Sequence, residues 1–91
     1  MRALLVEKID DTHFQVSVKN NTPTQHTVTV PPAYAQKLTV GKISTEQLLE
    51  KSFEFLLARE PNTSILRSFE LSVISHYFPE YEREIARLLQ S

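Results

Sequence analysis

The chain has 91 residues, a formal net charge of −1, 41% hydrophobic and 23% charged residues, and no cysteine. This length accommodates one small domain with one core, and the composition is that of a folded globular protein. The lack of cysteine excludes a disulfide framework, a thiolate nucleophile and a cysteine-ligated metal, while the near-neutral charge argues against a surface that binds nucleic-acid duplexes.

The first thirty residues alternate between apolar and polar side chains, which is typical of half-buried β-strands. Phe14, Val16 and Val18 are each flanked by polar neighbours, and segment 25–30 has the same alternation with a high β-branched content. Segment 3–9 is apolar almost throughout, so it is also predicted as a strand, although its sequence does not indicate which face is buried. Asp and Asn residues between these runs favour tight turns. We therefore predict a three-stranded antiparallel β-meander.

A pair of prolines ends this first region. Pro31 and Pro32 cannot donate backbone hydrogen bonds to a sheet, so the third strand should stop there. Proline is well suited to the first turn of a helix, and Pro32 is therefore expected to open a short helix over Ala33–Leu38. Gly41, the only glycine of the chain, is expected to close it.

The next helix has the clearest local signals. Ser44 and Gln47 have the spacing of a capping box, and Pro61 predicts that the helix ends near residue 60. The residues expected to form its apolar face recur at helical spacing: Leu48, Leu49, Phe53, Phe55, Leu56 and Leu57.

Two more helices are predicted after Pro61. Segment 62–64 resembles a helix cap, and apolar residues then recur at helical spacing from Ile65 to Tyr77. Pro79 separates this helix from a last one over residues 80–90. The inward side chains of that last helix are expected to be Tyr81, Ile85, Leu88 and Leu89.

The sequence as a whole predicts an α+β fold for residues 1–91 as a single domain. The meander occupies about residues 3–30, and three to four helices in residues 32–90 pack on one face of it. The N-terminus lacks the apolar core of a signal peptide, and no run reaches the roughly 18–20 apolar residues of a membrane span. We therefore expect a cytoplasmic protein without a membrane partner.

Residues that could carry out catalysis are few. One glycine is too few for a phosphate-binding loop, and the three histidines, His13, His26 and His76, lack the short spacings of metal ligands. A metal site from His13, His26 and a carboxylate is conceivable on neighbouring strands, but ordinary surface histidines are the simpler interpretation. The paired glutamates fall on presumed solvent faces of helices. We predict no catalytic residue, no metal and no cofactor.

The corner between the second predicted helix and the last one has the most distinctive polar and aromatic side chains. Arg59 and Arg67 could bind an anionic partner surface, because arginine makes bidentate contacts with carboxylates and phosphates, or they could simply fix the corner. Tyr77, Phe78 and Tyr81 could form the core at a helix corner, or they could form an interface, where such aromatic residues are enriched. Consecutive side chains cannot both face one core, so at least one of Tyr77 and Phe78 is expected at the boundary or the surface. These five residues are the predicted partner-binding residues.

The same corner resembles a group of short uncharacterised bacterial proteins. The similarity lies in Arg59-Glu60-Pro61, in the stretch Ser64–Phe69 and in Tyr77–Tyr81, and it covers roughly the C-terminal half. It implies a small cytosolic bacterial protein of unknown function, and it assigns no site residues.

Three functional hypotheses follow, of which the first is favoured. The chain is a non-enzymatic protein-interaction or regulatory domain, with a protein partner or a second copy of itself. Alternatively, the helices after Ser44 form a helix-turn-helix-like pair that regulates through nucleic acid, against which the acidic C-terminal half argues. The third hypothesis is an enzyme that uses His26 or His76 with a nearby glutamate.

Overall fold

Strands occupy the beginning of the chain and helices dominate its end in the computed structural model, which describes residues 3–20 and 22–90. The strands are β1 (Ala3–Lys8), β2 (His13–Lys19), β3 (Thr24–Thr29) and β4 (Ser68–Glu70). The helices are α1 (Pro32–Thr39), α2 (Thr45–Leu57), α3 (Val73–Tyr77) and α4 (Tyr81–Gln90), with a 3-10 turn at Asn62–Ser64. The predicted α+β class is confirmed.

The sheet has the order β1-β2-β3-β4 and is mixed. The first three strands pair antiparallel, with Val6 opposite Val16 and Phe14 opposite Val28, as the predicted meander requires. The prediction that the sheet contains only these three antiparallel strands is wrong, because β4 pairs with β3 in parallel and places Phe69 beside Val28.

Strand β4 lies where the sequence predicted a continuous helix from Ile65 to Tyr77. The backbone instead runs extended after the 3-10 turn, and the Thr27 N–H donates to the Arg67 carbonyl at 2.8 Å. The Leu71 N–H donates to the Thr29 carbonyl at 2.9 Å. These hydrogen bonds join residues far apart in sequence, so pairing with the sheet overrides the local helical spacing, and α3 begins only at Val73.

The core lies between one face of the sheet and the helices. Phe14, Val16 and Val18 of β2 point into it and are almost fully buried, as their alternation predicted. Tyr81 and Ile85 of α4 are completely buried on the helical side. The opposite face of the sheet carries mainly polar side chains, including Gln15, Thr27, Thr29 and Ser68.

Helix α2 begins at its predicted capping signal, but it ends at Leu57, before the predicted end near residue 60. Ser44 Oγ accepts a hydrogen bond from the Gln47 N–H at 3.1 Å, and Gln47 Oε1 accepts one from the Ser44 N–H at 3.2 Å, so the capping box is formed. Helix α1 ends in two left-handed residues, Val40 with φ 53° and Gly41 with φ 70°. The C-cap is Val40, whose N–H donates to the Gln36 carbonyl at 2.8 Å, one residue before the predicted Gly41. Gly41 continues the left-handed turn, a conformation that glycine adopts without a Cβ clash.

None of the helices in the described part of the chain has the length and apolar character needed to cross a membrane.

Candidate interaction groove

An open groove lies at the predicted corner, between the C-terminal end of α2 and α3. Its volume is about 340 Å³, and the segment that leads into β4 forms its floor. The lining is predominantly apolar, and we call the whole surface the corner groove: Leu56, Glu60, Ser64, Ile65, Leu66, Phe69, Val73, Ile74, Tyr77 and Phe78.

Two large apolar side chains at the corner groove remain open to solvent. Tyr77 is 68% exposed and Leu66 is 48% exposed. Phe78 is half-buried and meets the Phe55 ring edge-on, with ring centroids 5.8 Å apart and an interplanar angle of 83°. Of the predicted partner-binding aromatic residues, Tyr77 and Phe78 therefore line the corner groove.

Tyr81 lies elsewhere, in the core. Its side chain is completely buried, and its hydroxyl lies 2.6 Å from Ser52 Oγ, which in turn donates to the Leu48 carbonyl. Burial raises the pKa of Tyr81, so the phenol is neutral. Tyr81 thus holds α4 against α2, and it presents no surface to a partner.

Arg59 is engaged with its own corner. Its guanidinium carbon lies 3.6 Å from the centroid of the Phe55 ring, and Nη1 donates to the Phe55 carbonyl at 3.1 Å. Its Nε lies 3.5 Å from a carboxylate oxygen of Glu80. These contacts fix the end of α2 to the start of α4, which is the structural alternative considered for this residue.

Arg67 is exposed and lines a different depression, at the ends of β2 and β3, together with Lys19 and Gln25. The structure therefore separates the two arginines that the sequence grouped into one anion-binding surface.

Among the described lining residues of the corner groove, Glu60 is the one with an acidic side chain. It is half-buried, and no described Lys, Arg or His forms an ion pair with its carboxylate. The acid thus places a negative charge beside an apolar surface without a compensating cation from residues 3–20 or 22–90.

A buried polar network holds the floor of the corner groove in place. His26, which is 1% exposed, donates from Nδ1 to the Leu66 carbonyl at 2.8 Å. The Leu66 carbonyl can only accept, so the proton of the neutral imidazole lies on Nδ1. Nε2 therefore accepts a hydrogen bond from the Thr24 hydroxyl at 2.8 Å. Burial is the main cause that lowers the pKa of His26, and the charge of Arg67 lowers it further. His26 is therefore neutral, and its hydrogen bond to Leu66 holds the segment before β4 against the sheet.

Asn62 extends this network to the turn between β2 and β3. Its Nδ2 donates to the Thr22 carbonyl at 2.7 Å and to Thr24 Oγ1 at 2.9 Å. Asn20 Nδ2 donates to Asn62 Oδ1 at 3.2 Å. The predicted helix-cap residue Asn62 is instead a buried tie between the 3-10 turn and the sheet.

The three histidines do not converge. His13 lies on the polar face of β2, where its Nδ1 is 2.9 Å from Asp10 Oδ1 in an exposed turn, whereas His26 faces the core. His76 is exposed on α3. Across residues 3–20 and 22–90, no group of three His, Asp or Glu side chains is arranged to hold a metal ion.

The helix pair required by the nucleic-acid hypothesis is not formed. Helix α2 is followed by the 3-10 turn and β4, and α3 has only five residues. No second helix therefore follows α2 through a short turn, as a helix-turn-helix arrangement requires.

The sequence did not reveal the roles of four residues that shape this region: Glu60, Ser64, Leu66 and Asn62. Asn62 and Ser64 were predicted only as part of a helix cap, and Glu60 and Leu66 lie in the predicted corner but outside its set of partner-binding residues. The role of Asn62 could not be predicted locally, because its side chain contacts Thr22, which lies 40 residues away in the sequence.

Comparison with protein-family models, with curated proteins and with solved structures finds no match to this chain. The geometry of the corner groove therefore carries the functional argument.

Proposed function

We propose that the protein is a non-enzymatic interaction domain, and that its corner groove receives an apolar segment of a partner protein carrying a Lys or Arg that meets Glu60. The single observation that carries this proposal is an open apolar groove with an unpaired carboxylate at its wall.

Leu66 and Tyr77 supply apolar surface for a partner. Both expose about half or more of their surface at the corner groove, and burial of apolar surface stabilises a complex by about 25 cal/mol per Å². Tyrosine is also among the residues that contribute most to binding at protein interfaces. A partner that covers these two side chains thus gains binding free energy.

Glu60 determines which charge on a partner is favoured at the corner groove. A partner that covers the corner groove removes water from this carboxylate, and desolvation of an unpaired charge is costly. A Lys or Arg on the partner offsets that cost with a charge-assisted hydrogen bond. Charge complementarity therefore favours a basic apolar segment over an acidic one.

The surrounding structure is suited to a preformed site. The floor is clamped by His26 and Asn62, and the wall at Phe78 packs against Phe55. A rigid groove loses little conformational entropy when a ligand binds, which supports affinity from a small surface.

Selection of peptides from a random displayed library on the purified protein tests the proposal. We expect enriched sequences to combine apolar residues with at least one Lys or Arg, and we expect selection on Glu60→Lys to enrich Asp or Glu instead. The proposal fails if nothing is enriched, or if the two selections give the same charge preference.

Variants of the lining locate the binding site. We expect Leu66→Ala and Tyr77→Ala each to weaken an enriched peptide about fivefold or more, because each removes more than about 1 kcal/mol of contact. Leu5→Ala is the matched control, since Leu5 is also 48% exposed but lies on β1. Equal loss in all three variants, measured by titration calorimetry, would place binding outside the corner groove.

A second copy of the chain is the other occupant that the favoured hypothesis allowed. Sedimentation velocity at micromolar concentration distinguishes it: we expect a monomer for wild type. A dimer that disappears in Leu66→Ala but persists in Leu5→Ala would overturn the choice of a separate partner protein.

A further inference from the structure

A second depression, the basic pocket, lies at the ends of β2 and β3 and has a volume of about 330 Å³. Four of its lining residues offer hydrogen-bond donors from their side chains: Ser17, Lys19, Gln25 and Arg67. None of its lining residues within 3–20 and 22–90 is acidic.

The two cations of the basic pocket are available to a ligand. Lys19 and Arg67 are both exposed, and neither forms an ion pair with a described Asp or Glu. Two like charges that line one pocket repel each other, and an anion between them relieves that repulsion. The charge of the pocket therefore selects for a negative ligand.

Ser17 adds a neutral donor to the same pocket. The residue is only 6% exposed, and no described group forms a hydrogen bond with its hydroxyl. Among residues 3–20 and 22–90 no fully buried side-chain oxygen or nitrogen lacks a partner, so this hydroxyl opens into the pocket and can donate to a ligand there. Gln25 lies directly opposite Ser17 on β3 and offers a side-chain amide beside it.

We propose that the basic pocket binds a phosphate monoester group of a small-molecule ligand. Arg67 offers a planar pair of N–H donors, Lys19 a second positive charge, and Ser17 and Gln25 two neutral donors. This set of donors matches the three terminal oxygens and the double negative charge of a phosphate monoester. A carboxylate has one charge and two oxygens, so it satisfies fewer of these groups.

This proposal does not depend on the corner groove. The two sites share none of their described lining residues, and the ligand of the basic pocket is an anion, whereas the corner groove contains the acidic Glu60. Either site can therefore be shown or refuted without the other.

Titration of ¹⁵N-labelled protein with phenyl phosphate, inorganic phosphate, sulfate and acetate at constant ionic strength tests the proposal. We expect saturable amide shifts at Ser17, Gln25 and Arg67 with phenyl phosphate, and weaker binding of acetate by about tenfold or more. Equal affinity for all four anions would overturn the phosphate assignment. Binding of inorganic phosphate without phenyl phosphate would overturn the monoester in favour of the free ion.

Variants distinguish specific binding of phenyl phosphate in the basic pocket from general attraction of an anion to a positively charged surface. We expect Lys19→Ala and Arg67→Ala each to weaken phenyl phosphate about tenfold or more, and Ser17→Ala by about threefold to tenfold. Lys42→Ala is the control, because Lys42 is exposed and lies outside the basic pocket. If Lys42→Ala weakens binding as much as Lys19→Ala, the site is refuted. Far-ultraviolet circular dichroism of each variant shows that the fold is kept.

Discussion

The corner groove and the basic pocket have opposite chemistry although consecutive residues contribute to them. Leu66 lines the apolar corner groove, which contains Glu60, while Arg67 lines the polar basic pocket, which contains Lys19. Both residues lie in the irregular segment between the 3-10 turn and β4, so one short non-helical segment supplies two different surfaces.

The two surfaces also share one anchor. The Leu66 carbonyl accepts from His26, and the Arg67 carbonyl accepts from the Thr27 N–H. Asn62 holds the turn that precedes them. A substitution that removes one of these hydrogen bonds should therefore affect both surfaces. A substitution of Leu66 or Arg67 alone should affect only the surface that this side chain lines.

The largest effect is expected from Asn62→Ala. This change removes Asn62 Nδ2, which donates hydrogen bonds to the Thr22 carbonyl and to the Thr24 hydroxyl. We expect the free energy of unfolding in urea to fall by about 2–3 kcal/mol and both peptide and phosphate binding to weaken. Thr63→Ala, at the exposed neighbour, should change none of these quantities. Loss of binding at only one surface would show that they do not share this anchor.

A selective effect is expected from the neighbouring pair Leu66 and Arg67. We expect Leu66→Ala to weaken peptide binding about fivefold or more and to leave phosphate binding unchanged, since the groove contact is apolar. Arg67→Ala should do the reverse. Calorimetric titration of both ligands into both variants measures all four combinations. A variant that weakens both ligands alike would contradict the separation of the two surfaces.

The smallest effect is expected from a change of pH, and it acts through His26. Its pKa in the folded protein lies below the unfolded value, so the folded state binds fewer protons than the unfolded state below about pH 6.5. The stability contributed by neutral His26 is thus complete above pH 6.5 and is lost as the pH falls through the folded pKa.

Urea unfolding between pH 7.5 and 5 measures this loss. We expect the unfolding free energy of wild type and of His76→Ala to fall together with decreasing pH, because His76 is exposed on α3. His26→Leu should begin less stable and show a flatter dependence. If His26→Leu keeps the full wild-type slope, then another group causes the pH dependence.

Local signals were sufficient for most elements of the fold. The Ser44–Gln47 capping box and the alternation around Val16 act within a few residues, and the structure has the helix and the strand that they predict. Strand β4 could not be predicted in this way, because Phe69 has helical spacing to its apolar neighbours and becomes extended only through pairing with β3.

The candidate sites were predictable only in part. Tyr77 and Phe78 line the corner groove. The sequence indicated a surface position for at least one of them, because consecutive aromatic side chains cannot both enter one core. The separation of Arg59 from Arg67 depends on packing against Phe55 and Glu80, which no local pattern reveals. The partner, the bacterial origin and the cytoplasmic location all stay predictions.

A charge exchange between Glu60 and a bound peptide tests the interaction domain most directly. One enriched peptide is titrated with its Lys or with Glu at the same position, each into wild type and into Glu60→Lys. We expect the Lys peptide to prefer wild type, the Glu peptide to prefer Glu60→Lys, and each mismatched combination to bind about tenfold more weakly. Equal affinities in all four combinations would contradict a role for Glu60 and for the corner groove in partner recognition.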